Sequence, residues 1–165
     1  MAKRDRHVSE TPATAWLRAH AVVFSEHPYE YVEHGGTEES SRQLGVPLHE
    51  VVKTLVMEDQ RGQPLVVLMH GDCEVSTKNL ARSIDAKAVA ACKPDVAERH
   101  SGYQVGGTSP FGLRKAMPVY VEESILSLPR IYINGGRRGY LVGIAPGVLV
   151  DLLGASAVQC AIERR

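Results

Sequence analysis

Residues 51–69 constrain this chain more than any other stretch. Val51-Val52-Lys53-Thr54-Leu55-Val56-Met57 and Leu65-Val66-Val67-Leu68-Met69 are two β-rich runs, and the segment between them holds the turn former Gly62. That pattern predicts a hairpin. Side chains alternate along a strand, so Lys53 shares a face with Val51, Leu55 and Met57, while Val52, Thr54 and Val56 point the other way. Both faces are largely apolar, which places this strand inside a sheet. A chain of 165 residues, 44% of them hydrophobic, is long enough to bury such a sheet in one domain. With aromatics at only 5%, the core is expected to be aliphatic.

Lys53 conflicts with that setting. An unpaired buried ammonium is costly, so it needs a partner or a ligand. One reading is a cation at the floor of a pocket, holding a carboxylate, phosphate or carbonyl oxygen. The other is a lysine that snorkels to the surface or pairs with a glutamate.

The flanking sequence predicts helices and strands in alternation. Residues 1–10 are a polar, charged tail. Thr11 caps and Pro12 opens a helix to about His20. Residues 22–24 and 29–32 are expected strands, broken at His27-Pro28. Gly35-Gly36 forms a turn, Thr37 caps a short helix with Glu38 and Glu39 in its first turn, and Gly45 ends it. Ser76 caps a helix carrying Leu80 and Ile84, and Pro94 starts another that ends near His100. Residues 119–121 and 131–133 are strands. Residues 134–139 form a tight turn into a strand over 140–144, and Pro146 opens a last helix through Leu153. Such interleaving predicts an α+β domain over residues 11–165, a mixed sheet flanked by helices.

Two further segments could carry chemistry. Gly102-Tyr103-Gln104-Val105-Gly106-Gly107-Thr108-Ser109-Pro110-Phe111-Gly112 lets backbone approach a ligand closely, and its amides could form an anion-binding concavity. An ordinary long connection has the same composition. Asn134-Gly135-Gly136-Arg137-Arg138-Gly139 puts two arginines at a hairpin tip, where they either hold phosphates or stay solvated. Arg114 and Lys115 add to a small positive patch suited to the end of a nucleic acid.

Other classes fit less well. Lys plus Arg equals Asp plus Glu, at 19 each, unlike a protein that grips a long nucleic acid. Cys73, Cys92 and Cys160 show no CxxC spacing. The seven histidines form no HExxH pair, and Ser109 lies in no Gly-x-Ser-x-Gly elbow. No metal or cofactor is expected, no signal or membrane span is evident, and a cytoplasmic location is the default.

Taken together, these segments resemble the YbaK/EbsC family of Cys-tRNA(Pro) deacylases, in the superfamily of the editing domain of prolyl-tRNA synthetases. The resemblance runs from Thr11-Pro12-Ala13 through Tyr29, Val52-Lys53-Thr54-Leu55 and the Gly106-to-Pro110 loop to Tyr132-Ile133-Asn134-Gly135-Gly136-Arg137-Arg138-Gly139. It implies a curved mixed sheet with a pocket between sheet and loops. It makes Lys53 the catalytic cation, facing a cavity roofed by the glycine–proline segment. It implies that Gly106, Gly107, Thr108, Ser109 and Pro110 shape the pocket and Tyr29 lines it. Asn134 and Gly136 then sit near the terminal adenosine, Gly135 joins the substrate-binding residues, and Arg137, Arg138, Arg114 and Lys115 are candidate tRNA contacts. The implied reaction is removal of cysteine from Cys-tRNA(Pro), of hydrolase or lyase type, with the substrate thiol attacking its own ester and prolyl-tRNA synthetase as a possible partner. Asn134 stands where many relatives have serine, and Leu141 where some carry an acid. A deacylase for Ala- or Ser-charged tRNA, or a non-catalytic aminoacyl- or nucleotide-binding module, are the alternatives.

Overall fold

The computed structural model describes residues 10–163. Of the expected tail, residues 1–9 lie outside the described part, and Glu10 pairs with Arg18 at 2.5 Å. Helix α1 (Pro12–Ala19) starts as its sequence predicts. Thr11 Oγ1 accepts from the Thr14 amide, and Thr14 Oγ1 accepts from the Thr11 amide, a reciprocal cap.

The hairpin forms as strands β2 (Val51–Asp59) and β3 (Pro64–His70), paired from Val52–His70 to Glu58–Pro64. Around it the described residues build an eight-stranded mixed sheet in the order β1-β8-β7-β2-β3-β6-β9, with β5 also pairing to β2. The other strands are β1 (Ser25–Pro28), β5 (Val89–Ala91), β6 (Val119–Glu122), β7 (Ile131–Arg137), β8 (Tyr140–Ile144) and β9 (Ser156–Val158). A separate two-stranded ribbon joins β4 (Cys73–Val75) to β10 (Ala161–Glu163).

Helices α2 (Gly36–Leu44), α3 (Thr77–Ser83), α4 (Pro94–Ser101) and the short α5 (Gly147–Asp151) complete the fold. The two faces of β2 enter two cores. Val52 joins Leu68, Ile133, Leu17 and Phe111 in the larger. Met57 joins Val67, Met69, Leu80 and Cys73 in the smaller.

Several local expectations are corrected. Residues 22–24 and 29–32 are not strands. The strand is β1, which runs across the predicted His27-Pro28 break because β8 offers it an antiparallel partner from Gly143 to Tyr140. Gly35, not Thr37, is the cap of α2; Thr37 Oγ1 instead donates to the Gly71 carbonyl at 3.1 Å. The tight turn expected over 134–139 is mostly strand, since β7 continues to Arg137 through an irregularity between Asn134 and Arg137. Asn134 Oδ1 holds that bulge by accepting from the amides of Gly136 (2.7 Å) and Arg137 (3.1 Å). The last helix stops at Asp151 rather than Leu153.

Candidate functional site

Beside β2 the sheet opens. Strand β7 pairs with β2 only at Val51 and Val52, and β5 only from Met57 to Asp59. A cavity of about 520 Å³ occupies this gap, floored by residues 51–57. Tyr29 and Tyr31 on the segment after β1, Thr37 and Ser40 on α2, and Cys92 after β5 line its sides. Val105, Gly106 and Thr108 come from the glycine–proline segment, and Asn134, Arg138 and Leu141 from the β7–β8 hairpin.

Lys53 borders this cavity together with Gly106 and Thr108. Its side chain is half-buried, and the ammonium donates to the Cys73 carbonyl at 2.5 Å. Alternation carries it to the face of Met69 and the smaller core, as the sequence predicts.

The glycine–proline segment is anchored at both ends. Gly102 ends α4 in the left-handed conformation that favours glycine. Tyr103, Ser109, Pro110 and Phe111 are buried, and Ser109 Oγ accepts from the Phe111 amide at 3.1 Å. Between these anchors the chain lies against the hairpin. A Cβ on Gly107 would come within 2.6 Å of the Arg138 nitrogen, so only glycine allows this backbone contact. Arg138 Nε donates to the Val105 carbonyl at 2.9 Å, and Asn134 Nδ2 to the Gly106 carbonyl at 3.3 Å.

Thus Tyr29, Lys53, Gly106, Thr108 and Asn134 share one cavity. Gly107, Ser109, Pro110, Gly135 and Gly136 do not line it; they build its support. Gly135 accepts from Thr11 Oγ1 at 2.6 Å, and Gly136 packs against Thr11 and Tyr103. The arginines are more engaged than a solvated turn would make them. Arg138 lies 4.7 Å from the Tyr31 ring centre, and Arg137 the same distance from that of Tyr140. Arg114 and Lys115 are exposed beyond the end of α4, outside the cavity lining. Sequence reasoning did not find Tyr31, Thr37, Ser40 or Cys92. Tyr31, two residues beyond Tyr29, carried a local signal that pointed to a strand, and Thr37 one that pointed to a helix cap.

The cavity cysteine is poorly suited to attack. Burial raises the Cys92 thiol above its ordinary value, and the Glu58 carboxylate beside it raises it further. Burial, with Asp72 adjacent, pushes the Cys73 thiol up to about 11. Both are therefore thiols rather than thiolates at neutral pH. Burial also raises the Tyr29 phenol, leaving a neutral hydroxyl at the wall. His49, His70 and Asp72 gather near the start of β2. Their imidazoles stack at 3.8 Å and 7°, and His70 Nδ1 donates to the His49 carbonyl at 2.7 Å. Their candidate ligand atoms lie within 4.8 Å of one another, and His49 Nδ1 is bonded to the Asp72 carboxylate at 2.9 Å.

Comparison with known proteins agrees with this architecture. A family model for the aminoacyl-tRNA editing domain matches residues 34–152. EbsC of Enterococcus faecalis, provisionally named a Cys-tRNA(Pro)/Cys-tRNA(Cys) deacylase, is 29% identical over 153 residues, covering 92% of this chain and 93% of EbsC. A proline–tRNA ligase of Nitratidesulfovibrio vulgaris is 30% identical over 106 residues, which are 64% of this chain but 17% of the ligase. A crystal structure provisionally described as a trans-editing enzyme for prolyl-tRNA synthetase has the same fold, with a TM-score of 0.78 at 20% identity over 94% of this chain and 99% of that one. The family match takes in Lys53, the glycine–proline segment and the β7–β8 hairpin, and so most of the cavity wall. The chain belongs to the aminoacyl-tRNA editing domain family.

Proposed function

We propose that this protein removes cysteine from mischarged Cys-tRNA(Pro), acting in trans, with the acceptor end of the tRNA entering the cavity beside β2. The observation that carries this reading is a family-matched cavity bordered by Lys53, whose own cysteine is held as a thiol. Such a site positions and polarises better than it attacks.

The substrate supplies the nucleophile. Its thiol sulfur bonds to the ester carbonyl carbon, the carbon–oxygen bond to the ribose breaks, and the ribose hydroxyl leaves with the thiol proton. Intramolecular attack gains heavily from orientation, and a thiol is the better nucleophile near neutral pH. Lys53 supplies positive charge toward the oxygen that becomes anionic. In this reading Arg138 and Tyr31, which contact each other in the cavity lining, meet the terminal nucleotide. The site lysine, the tyrosines and the glycine–proline segment would serve an alanine- or serine-specific deacylase equally well, so specificity is the point to test.

The experiment is a panel of Cys-, Ala- and Ser-charged tRNA(Pro), with and without prolyl-tRNA synthetase. Release of cysteine well ahead of alanine and serine is expected, and Lys53→Ala should slow it by about 100-fold, the usual cost of one donor to a developing oxyanion. Preferential release of alanine or serine would reassign the substrate. Saturable binding with no release from any charged tRNA would make the protein a binding module.

A further inference from the structure

We propose that Thr54 offers the cavity an open strand edge, and that the aminoacyl group of the substrate pairs with it as one residue of an antiparallel strand would. This rests on the deacylase reading above.

The hydrogen-bond pattern of β2 leads there. Across the hairpin the Asp59 amide donates to the Gln63 carbonyl at 3.0 Å, and at the other end the Gly71 amide donates to the Val51 carbonyl at 2.6 Å. Odd-numbered residues of β2 therefore exchange their hydrogen bonds with β3, and even-numbered residues turn N–H and C=O to the opposite edge. On that edge the pairing with β7 ends at Val52–Ile133. The pairing with β5 begins at Met57–Ala91, preceded by a bond from the Cys92 amide to the Val56 carbonyl at 3.1 Å.

Thr54 lies between the two. No residue of β7 or β5 stands opposite it, and it lines the cavity. Its Oγ1 is shielded from solvent, yet makes no hydrogen bond among the described residues. Buried polar groups are rarely left so.

An aminoacyl ester fits this edge. Its α-ammonium and its ester carbonyl flank a single Cα, as the N–H and C=O of one residue do. In a hydrogen-bonded antiparallel pair, one residue's C=O accepts from its partner's nitrogen, and its N–H donates to its partner's oxygen. The Thr54 carbonyl thus accepts from the α-ammonium, and the Thr54 amide donates to the ester oxygen. That oxygen gains negative charge when the ester is attacked, so the same amide stabilises the transition state. Opposed residues of such a pair carry their side chains on one face, which sets the substrate side chain beside the Thr54 hydroxyl.

The test uses the full chain and the cysteinyl amide of 3′-amino-3′-deoxyadenosine, which is not hydrolysed as an ester. Amide hydrogen exchange at Thr54, followed by NMR, should slow at least ~10-fold at saturation, the effect of gaining one hydrogen bond. The same nucleoside without the cysteinyl group should leave Thr54 unchanged. Equal exchange with and without the saturating amide would overturn the proposal. Thr54→Pro removes this one donor without touching the β2–β3 ladder. Circular dichroism should show it folded, with deacylation down about 100-fold; a folded variant working at the wild-type rate would also overturn the proposal. Should the variant not fold, the exchange measurement on the native chain decides. A wild-type chain that protects Thr54 but deacylates nothing would defeat the enzyme reading and leave the pairing intact.

Discussion

The two edges of β2 present alternate residues of one strand and do different work. Toward β3 the strand is paired rung by rung from Val52 to Glu58. Toward β7 and β5 it is paired only at its ends, and the gap is the cavity floor. The closed edge therefore carries stability, and the open edge presents chemistry at a fixed position. A rigid strand held from one side is a better platform for a reacting group than a loop.

This contrast is broken most severely by moving one proline along the strand. Leu55→Pro removes an N–H from the closed edge in the middle of a central strand, where each ladder bond counts. Leaving the facing carbonyl of β3 unsatisfied should cost about 1–3 kcal/mol, with the proline ring's fit in a central strand adding to it, seen as a large fall in the thermal midpoint by circular dichroism. The neighbouring Thr54→Pro, on the open edge, should melt far closer to wild type. Equal destabilisation of the two would mean the edges do not differ as described.

A smaller effect sharpens the description of the open side. Gly107→Ala forces a methyl against the backbone at Arg137 and Arg138. The cavity wall must shift, and the bonds from Arg138 to Val105 and from Asn134 to Gly106 are strained with it. A cost of about 1–3 kcal/mol is expected for such overpacking. Because the wall moves and the β2–β3 ladder does not, KM for charged tRNA should rise more than kcat falls. A variant with unchanged KM would show that this wall does not contact substrate.

How much of this was legible beforehand follows from the same distinction. Alternation in residues 51–57 reported faces, so the hairpin, the buried setting of β2 and the face that carries Lys53 could be read directly, whereas the bond from its ammonium to the Cys73 carbonyl could not. Caps at Thr11 and Ser76 and prolines at 12 and 94 fixed helix starts, because those signals act within one turn. Which edge a strand leaves open depends on partners more than 30 residues away, and no local pattern in Thr54 announces it. The three-residue strands β4, β5, β9 and β10 were unreadable for a related reason: they exist through their pairing rather than their propensity. Tyr29, Lys53, Gly106, Thr108 and Asn134 were expected around one pocket and do border one cavity. Tyr31, Thr37 and Ser40 reach it from segments whose sequence marks only a break or a helix.

The smallest effect concerns the far rung of the closed edge, where His70 ends β3 opposite Val52. Its ring is 1% exposed, stacked on His49, with Asp72 and Glu122 the charged groups nearby. Nδ1–H donates to the His49 carbonyl, and Nε2 takes its hydrogen bond from Ser124 Oγ at 2.7 Å when the ring is neutral. Burial lowers its affinity for a proton below the ordinary value of 6.5. The unfolded chain therefore binds that proton first as pH falls, and stability drops with decreasing pH below 6.5 until the folded ring also titrates. Above 6.5 both states are neutral at this site and the contribution is complete. Thermal melts between pH 5 and 8 should show the decline. His70→Asn, which keeps a donor toward His49 but cannot titrate, should reduce it, leaving the part due to His27 and His100, whose proton affinity burial also lowers. An unchanged pH slope in that variant would place the titrating group elsewhere, and would remove His70 as the pH-sensitive end of the ladder.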